Sequence, residues 1–107
     1  MTYAYTVDAP APMEQYDSVH AEITRRAGDR VDGLLVHFAR STATGFQVVE
    51  IWESKEQCDR FNNEVVGPVI AEMAAGQPLA TSEPVMEEFQ PHGLLLAGSE
   101  AAAGPMA

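Results

Sequence analysis

Acid–base chemistry near neutral pH needs an imidazole or a tuned carboxyl held against a partner, and His37 and Glu50 are the pair that neighbouring strands would bring together here. The stretch Gly33 to Gln57, GLLVHFARSTATGFQVVEIWESKEQ, reads as strand, loop, strand and the capped start of a helix. Successive strand residues point to opposite faces, so parity assigns the side chains. Phe46, Val48, Glu50 and Trp52 share one face of the second strand, against Gln47, Val49, Ile51 and Glu53. In the first, Leu34, Val36 and Phe38 form an apolar set, against Leu35, His37 and Ala39. The apolar sets, Leu34/Val36/Phe38 and Val49/Ile51, are expected to lie against helices. The face carrying Leu35, His37, Phe46, Val48, Glu50 and Trp52 is too polar for an ordinary core and too apolar for open water, and suits a cleft or a face covered by a partner subunit.

Within that face His37 is the candidate acid or base, and Glu50 could orient it or hold its proton. The same pair could equally be a structural hydrogen bond buried at a dimer interface, and spacing does not separate the two. Trp52 could offer a flat wall and an indole N–H to an aromatic substrate, or simply pack. Phe46, Leu35 and Val48 would be apolar walls. Tyr5, beside Tyr3 on the first strand's face, and Tyr16 on the first helix could donate to a substrate carbonyl, or serve as core tyrosines. Asn62, next to Asn63 on the second helix, could steady an oxyanion, against a solvated role. Cys58 reads as a small buried hydrophobe. His20 and His92 do not pair with acids at metal-ligand spacing, so no metal is expected. Glu83, Glu87 and Glu88 read as a solvated edge.

The elements that must position these groups follow from period and punctuation. Tyr3 to Val7 alternates as a first strand, and Asp8-Ala-Pro-Ala-Pro breaks it. Tyr16, Val19, Ile23 and Ala27 recur at the helix period over Met13 to Ala27, and Gly28 ends the run. Arg40 to Gly45 joins the central strands as a hairpin. Ser54 to Gln57 has the form of a capping box for a helix lined by Cys58, Phe61 and Val65. Gly67-Pro68 punctuates that helix, and Val69, Ile70 and Met73 make a further short turn before Gly76-Gln-Pro78. Pro84 to Gln90 is a fourth strand, with a possible resumption at Gly93 to Leu96. Residues 1–96 form one domain, and Ala97 to Ala107 is a small-residue tail expected to be mobile unless it packs on another chain. The order strand, helix, strand, strand, helix, strand is the split βαβ pattern of ferredoxin-like α+β folds, with a four-stranded antiparallel sheet.

Composition limits the function classes. The 107 residues hold a single core, and 46% hydrophobic against 21% charged residues is globular rather than disordered. A net charge of −10 repels phosphate backbones and anionic lipid, so neither nucleic acid nor a membrane surface is an expected partner. The single cysteine, the absence of a signal-like start and the absence of a long apolar run point to a cytoplasmic protein. Richness in Ala, Gly and Val with Arg over Lys fits a GC-rich bacterium.

GLLVHFA, then GFQVVEIWESKEQCDRF, then VVGPVIAEM, in that order and spacing, resemble the dimeric α+β barrel superfamily, in particular its antibiotic-biosynthesis-monooxygenase-like small proteins. The resemblance covers roughly Tyr3 to Gln90. It implies a homodimer in which two sheets pair face to face, covering the exposed side of each. The superfamily includes cofactor-independent oxygenases of polycyclic phenols, haem-degrading enzymes, polyketide cyclases and lactone isomerases. His37 and Trp52 stand in the recurring fold motif, and the haem-degrading signature is not evident. The expectation is a cofactor-independent monooxygenase-like enzyme, or a cyclase or isomerase, acting on a hydrophobic aromatic or polyketide-like molecule. His37 is its proton-transfer group and Glu50 the orienter. The alternative is a non-catalytic small-molecule-binding or stress or accessory protein of the same fold. A cavity of ~300 Å³ or more with His37 at its wall separates the two.

Overall fold

Alternation builds the first strand, β1 (Tyr3–Ala9), and the three- and four-residue recurrence builds α1 (Met13–Ala27). The computed structural model describes residues 2–28, 31–76 and 84–95. Gly28 ends α1 as expected: it adopts φ 81°, open to glycine without strain, and its N–H bonds the Thr24 carbonyl at 2.9 Å. Strands β2 (Leu34–Thr42) and β3 (Gly45–Trp52) follow, then α2 (Lys55–Phe61), a π-helical turn (Asn62–Val66), α3 (Gly67–Gly76) and β4 (Val85–Phe89). The sheet order is β2-β3-β1-β4, antiparallel throughout, which is the ferredoxin-like arrangement. No helix among the described residues is long and apolar enough to cross a membrane.

The assignment of faces differs from the sequence reading. Registers Tyr5↔Glu50 and His37↔Glu50 put Tyr5, His37, Glu50 and Trp52 on one face, as parity requires. That face lies against the helices: Tyr16 of α1 bonds His37, and Phe61 at the end of α2 packs its ring 5.8 Å from that of Trp52. The polar tips satisfy one another and the helical Tyr16, so no partner subunit is needed to cover them. The helix-free face carries Val36, Phe38, Val49 and Ile51, with Ala4, Val85 and Phe89 beside them; Phe38 is 48% exposed and Phe89 41%.

Leu34 also changes sides. A bulge between Leu34 and Val36 sets Leu34 opposite Trp52 and Val36 opposite Ile51, so Leu34 joins Leu35 toward the helices. The hairpin is tighter than expected, with Thr42 paired to Gly45 and only Ala43 and Thr44 turning. Gly93 to Leu95 adds no strand, while Leu96, Glu83, Gln77-Pro78 and the 97–107 tail lie outside the described residues.

Gly67-Pro68 does not stop the second helix. A prolyl ring inside an α-helix loses its N–H bond and meets the carbonyl four residues back. Here the turn before it widens to a five-residue hydrogen bond, Gly67 N–H to the Asn62 carbonyl, which makes room and lets the helix run on. The Ser54 cap forms on one side only: Gln57 N–H donates to Ser54 Oγ at 3.2 Å. The Gln57 side chain, rather than reaching the Ser54 backbone, accepts from the Ser54 hydroxyl at 2.8 Å and donates to Asp32 at 3.2 Å. Gly33, at φ 86°, lies against it, since a Cβ there would sit 2.5 Å from the Gln57 amide carbon. The buried centre is Tyr5, Trp52 and Cys58, with Tyr3, Val7, Val31, Leu34 and Phe61 packed around it.

Candidate functional site

Between the sheet and the helices lies a cavity of about 700 Å³. Its walls are mostly aliphatic and aromatic: Val7 from β1, Val19 and Ile23 from α1, Leu34 and Leu35 from the β2 bulge, Phe46 and Val48 from β3, Phe61, Val66 and Ile70 from the second helix. The volume is that of a small-molecule site. His37, Glu50, Phe46, Leu35, Val48, Tyr5, Tyr16 and Asn62 all stand on this wall. Trp52 does not; it is fully buried behind Glu50. Its edge still acts on the site, because the indole N–H donates to Glu50 Oε1 at 2.8 Å.

Glu50 is the point on which the polar groups converge. Its carboxylate is bonded by His37 Nδ1 at 2.6 Å, by the Tyr5 hydroxyl and by the Trp52 indole. Burial alone would raise the Glu50 pKa, but the bonds from His37, Tyr5 and Trp52 outweigh it and hold the carboxyl below its ordinary value. An ionised carboxylate only accepts, so His37 carries a proton on Nδ1 and presents the lone pair of Nε2 when neutral. That lone pair faces the Tyr16 hydroxyl at 2.6 Å, which therefore donates to it. The Tyr16 oxygen is in turn 3.2 Å from His20 Nδ1.

A second line of donors reaches Glu50 from the other side. Asn62 Nδ2 donates to Cys58 Sγ at 3.5 Å, the Cys58 thiol lies 4.0 Å from the Tyr5 hydroxyl, and Tyr5 donates to Glu50. Burial first, then the Glu50 charge, raise the Tyr5 pKa, so this phenol stays protonated. Burial, with lesser help from the Glu50 and Asp59 charges, pushes the Cys58 thiol up to about 11, which makes it a weak donor rather than a nucleophile. Among the described residues, no buried polar side-chain atom lacks a partner.

Chemically, this arrangement offers an imidazole lone pair, a phenol and a carboxylate in line, the parts a base with a proton path requires. A substrate proton delivered to the Tyr16 oxygen lets Tyr16 pass its own to His37 Nε2, and the new imidazolium sits against the Glu50 carboxylate. Burial foremost, then the Glu50 and Asp17 charges, raise the Tyr16 pKa, so a bare phenolate is disfavoured and concerted passage is favoured. His37 stands on the cavity wall, with the Tyr16 hydroxyl on its Nε2 at 2.6 Å.

His20 carries no role in the sequence reading beyond its exclusion as a metal ligand. Its position one turn after Tyr16 is the signal that could have linked them. Its ring lies nearly parallel to that of His37, 5.2 Å away at 10°. Asn63 is exposed and takes no part, and Asn62, directly after α2, lines the cavity.

No family model matches the chain, and a search of curated proteins finds no significant match. Solved structures do match in shape. A candidate antibiotic biosynthesis monooxygenase from Chloroflexus aurantiacus is 22% identical, with a TM-score of 0.63 over 87% of this chain and 95% of the other. A second from Caulobacter crescentus is 14% identical, with a TM-score of 0.67 over 85% and 90%. SnoaB, a cofactor-independent oxygenase from Streptomyces nogalater, is 15% identical, with a TM-score of 0.58 over 88% and 94%. At these identities the likeness is one of fold, and the chain has the ferredoxin-like α+β fold of the antibiotic-biosynthesis-monooxygenase-like structures.

Proposed function

We propose that this chain is a homodimeric enzyme that removes a proton from a hydrophobic aromatic or polyketide-like molecule, in the manner of a cofactor-independent monooxygenase. The observation that carries the reading is the Glu50–His37–Tyr16 line ending on the wall of an apolar cavity of about 700 Å³. That volume exceeds the ~300 Å³ needed to hold a drug-sized ligand. The likeness to SnoaB, described as a cofactor-independent oxygenase, supports the reaction class.

In this reaction Tyr16 takes the proton from an acidic C–H or O–H of the substrate, and His37 receives the Tyr16 proton. Glu50 balances the imidazolium. The substrate anion then gives an electron to dioxygen and a carbon–oxygen bond forms; the peroxide anion takes a proton from solvent water, and loss of water leaves the ketone. For an anthrone, one dioxygen is consumed and one quinone and one water appear. Phe46, Leu35 and Val48 hold the rings, and Asn62 is the neutral amide near the developing oxyanion. The dimer covers the apolar sheet face of Val36, Phe38, Val49 and Phe89, the side away from the cavity.

Anthrone is a suitable probe because its ring C–H is acidic and its oxidation is visible as oxygen uptake. Wild-type protein should accelerate uptake, and His37→Gln should lower the rate by roughly 10²-fold or more while the circular dichroism stays unchanged. Equal rates in the two proteins would remove His37 from the mechanism.

A further inference from the structure

The line of donors does not stop at Tyr16, and its last member has no part in the proton removal described above. His20 is half-buried on α1, lines the same cavity, lies 3.2 Å from the Tyr16 oxygen through Nδ1, and stacks on both Tyr16 and His37 at 5.2 Å. A phenol has one hydrogen to give. With that hydrogen on His37 Nε2, the Tyr16 oxygen can only accept from His20, so His20 must carry its proton on Nδ1. Every donor from His20 to Glu50 then points the same way.

We propose that His20 is the positioning residue of this relay: its Nδ1–H holds the Tyr16 hydroxyl toward His37, and its change of tautomer reverses the line so that the proton can leave. The inference rests on the proton-removal reading above. After one turnover His37 is doubly protonated, and its Nε2–H now faces the Tyr16 oxygen. If water gives His20 a proton on Nε2 and takes the Nδ1 proton, one in and one out, the Nδ1 lone pair faces the Tyr16 hydroxyl. His37 Nε2–H then breaks as a Tyr16 O–H forms, the old Tyr16 O–H breaks as His20 Nδ1–H forms, and His20 Nε2–H is released to water. The relay returns to its first state, with one proton moved from cavity to solvent.

The groups around this step are few. Tyr16 and His20 come from α1, His37 from β2, Glu50 from β3 and Tyr5 from β1; among the described residues, α2, the π turn and α3 add no titratable side chain to the wall, and no lysine or arginine lines it. One carboxylate, bonded to His37, therefore serves a line of two imidazoles whose rings lie nearly parallel, 5.2 Å apart. A single travelling proton suits that arrangement.

The test uses the whole chain and two readouts. Long-range nitrogen–proton spectra of the ligand-free protein, taken above the histidine titration range, should find His20 protonated on Nδ1, and Tyr16→Phe should abolish that preference while leaving the His37 Nδ1–H in place. With anthrone as probe, His20→Phe keeps the ring stack and should lower kcat by up to about 100-fold with KM unchanged. In His20→Ala, which leaves the ring's place open between Tyr16 and His37, added imidazole should restore part of the rate, with no effect on wild type. A His20 protonated on Nε2 alone, unmoved by Tyr16→Phe, would overturn the proposal, as would an unchanged kcat in His20→Phe. If wild type consumes no oxygen with anthrone, the enzyme reading falls, and the nitrogen spectra alone decide the place of His20.

Discussion

Glu50 accepts from an imidazole, a phenol and an indole while only 14% of its side chain is exposed, so its charge is built into the fold. Its pKa is lowered in the folded state, so the stability it contributes is full above the ordinary carboxylate range and is lost as pH falls through the folded value. Glu50→Gln leaves the Tyr5, Trp52 and His37 donors competing for one amide oxygen and should cost on the order of 2 kcal/mol at neutral pH. Urea unfolding along a pH series from 7 downward checks this. The gap between the two proteins should narrow as the medium becomes acid, and a gap constant with pH would show that the Glu50 charge is not what stabilises. Much of this constellation was legible in the sequence, because period-two parity alone groups His37, Glu50, Trp52 and Phe46. Parity does not say which face the helices cover. The rule that the more apolar face goes inside chose the wrong one, since four polar tips that bond each other are no burden to a core.

At the scale of elements, two loops decide where the wall residues stand. Gly33 sits at φ 86° against the Gln57 amide, which also ties Asp32 and Ser54, and Glu53 N–H donates to the Gly33 carbonyl at 2.7 Å. The bulge that turns Leu34 and Leu35 both toward the cavity follows directly. Gly33→Ala should therefore cost about 1–3 kcal/mol, from the left-handed backbone together with the clash. Thermal unfolding measures it, and a melting temperature equal to wild type would mean that the turn has another conformation open to it. Neither the bulge nor the π turn is legible in the sequence. A bulge leaves the residue types unchanged and alters only their pairing. Gly67-Pro68 is the ordinary mark of a helix end, and only the wider turn ahead of it, seen in three dimensions, explains why this helix continues. The Ser54 cap, the Gly28 stop and the order of elements were legible because each is written in adjacent residues.

For the whole molecule the open question of cover moves to the other side of the sheet. Phe38 at 48% and Phe89 at 41% exposure stand with Val36, Val49 and Val85 on the face turned away from the helices of the described residues. An apolar face of that kind favours a second copy. Light scattering at micromolar concentration should give twice the 11.6 kDa of one chain, and Phe38→Lys should return it to a single chain with its circular dichroism intact. A single-chain mass for wild type would end the dimer reading.

The position of the cavity, between the sheet and the helices of one chain, sets how copies of this protein would work side by side. Every chemical group on the proton path from His20 to Glu50 belongs to one polypeptide. Saturation should thus be hyperbolic with one molecule per chain, and a mixed pair of one sound and one damaged copy should retain half its output.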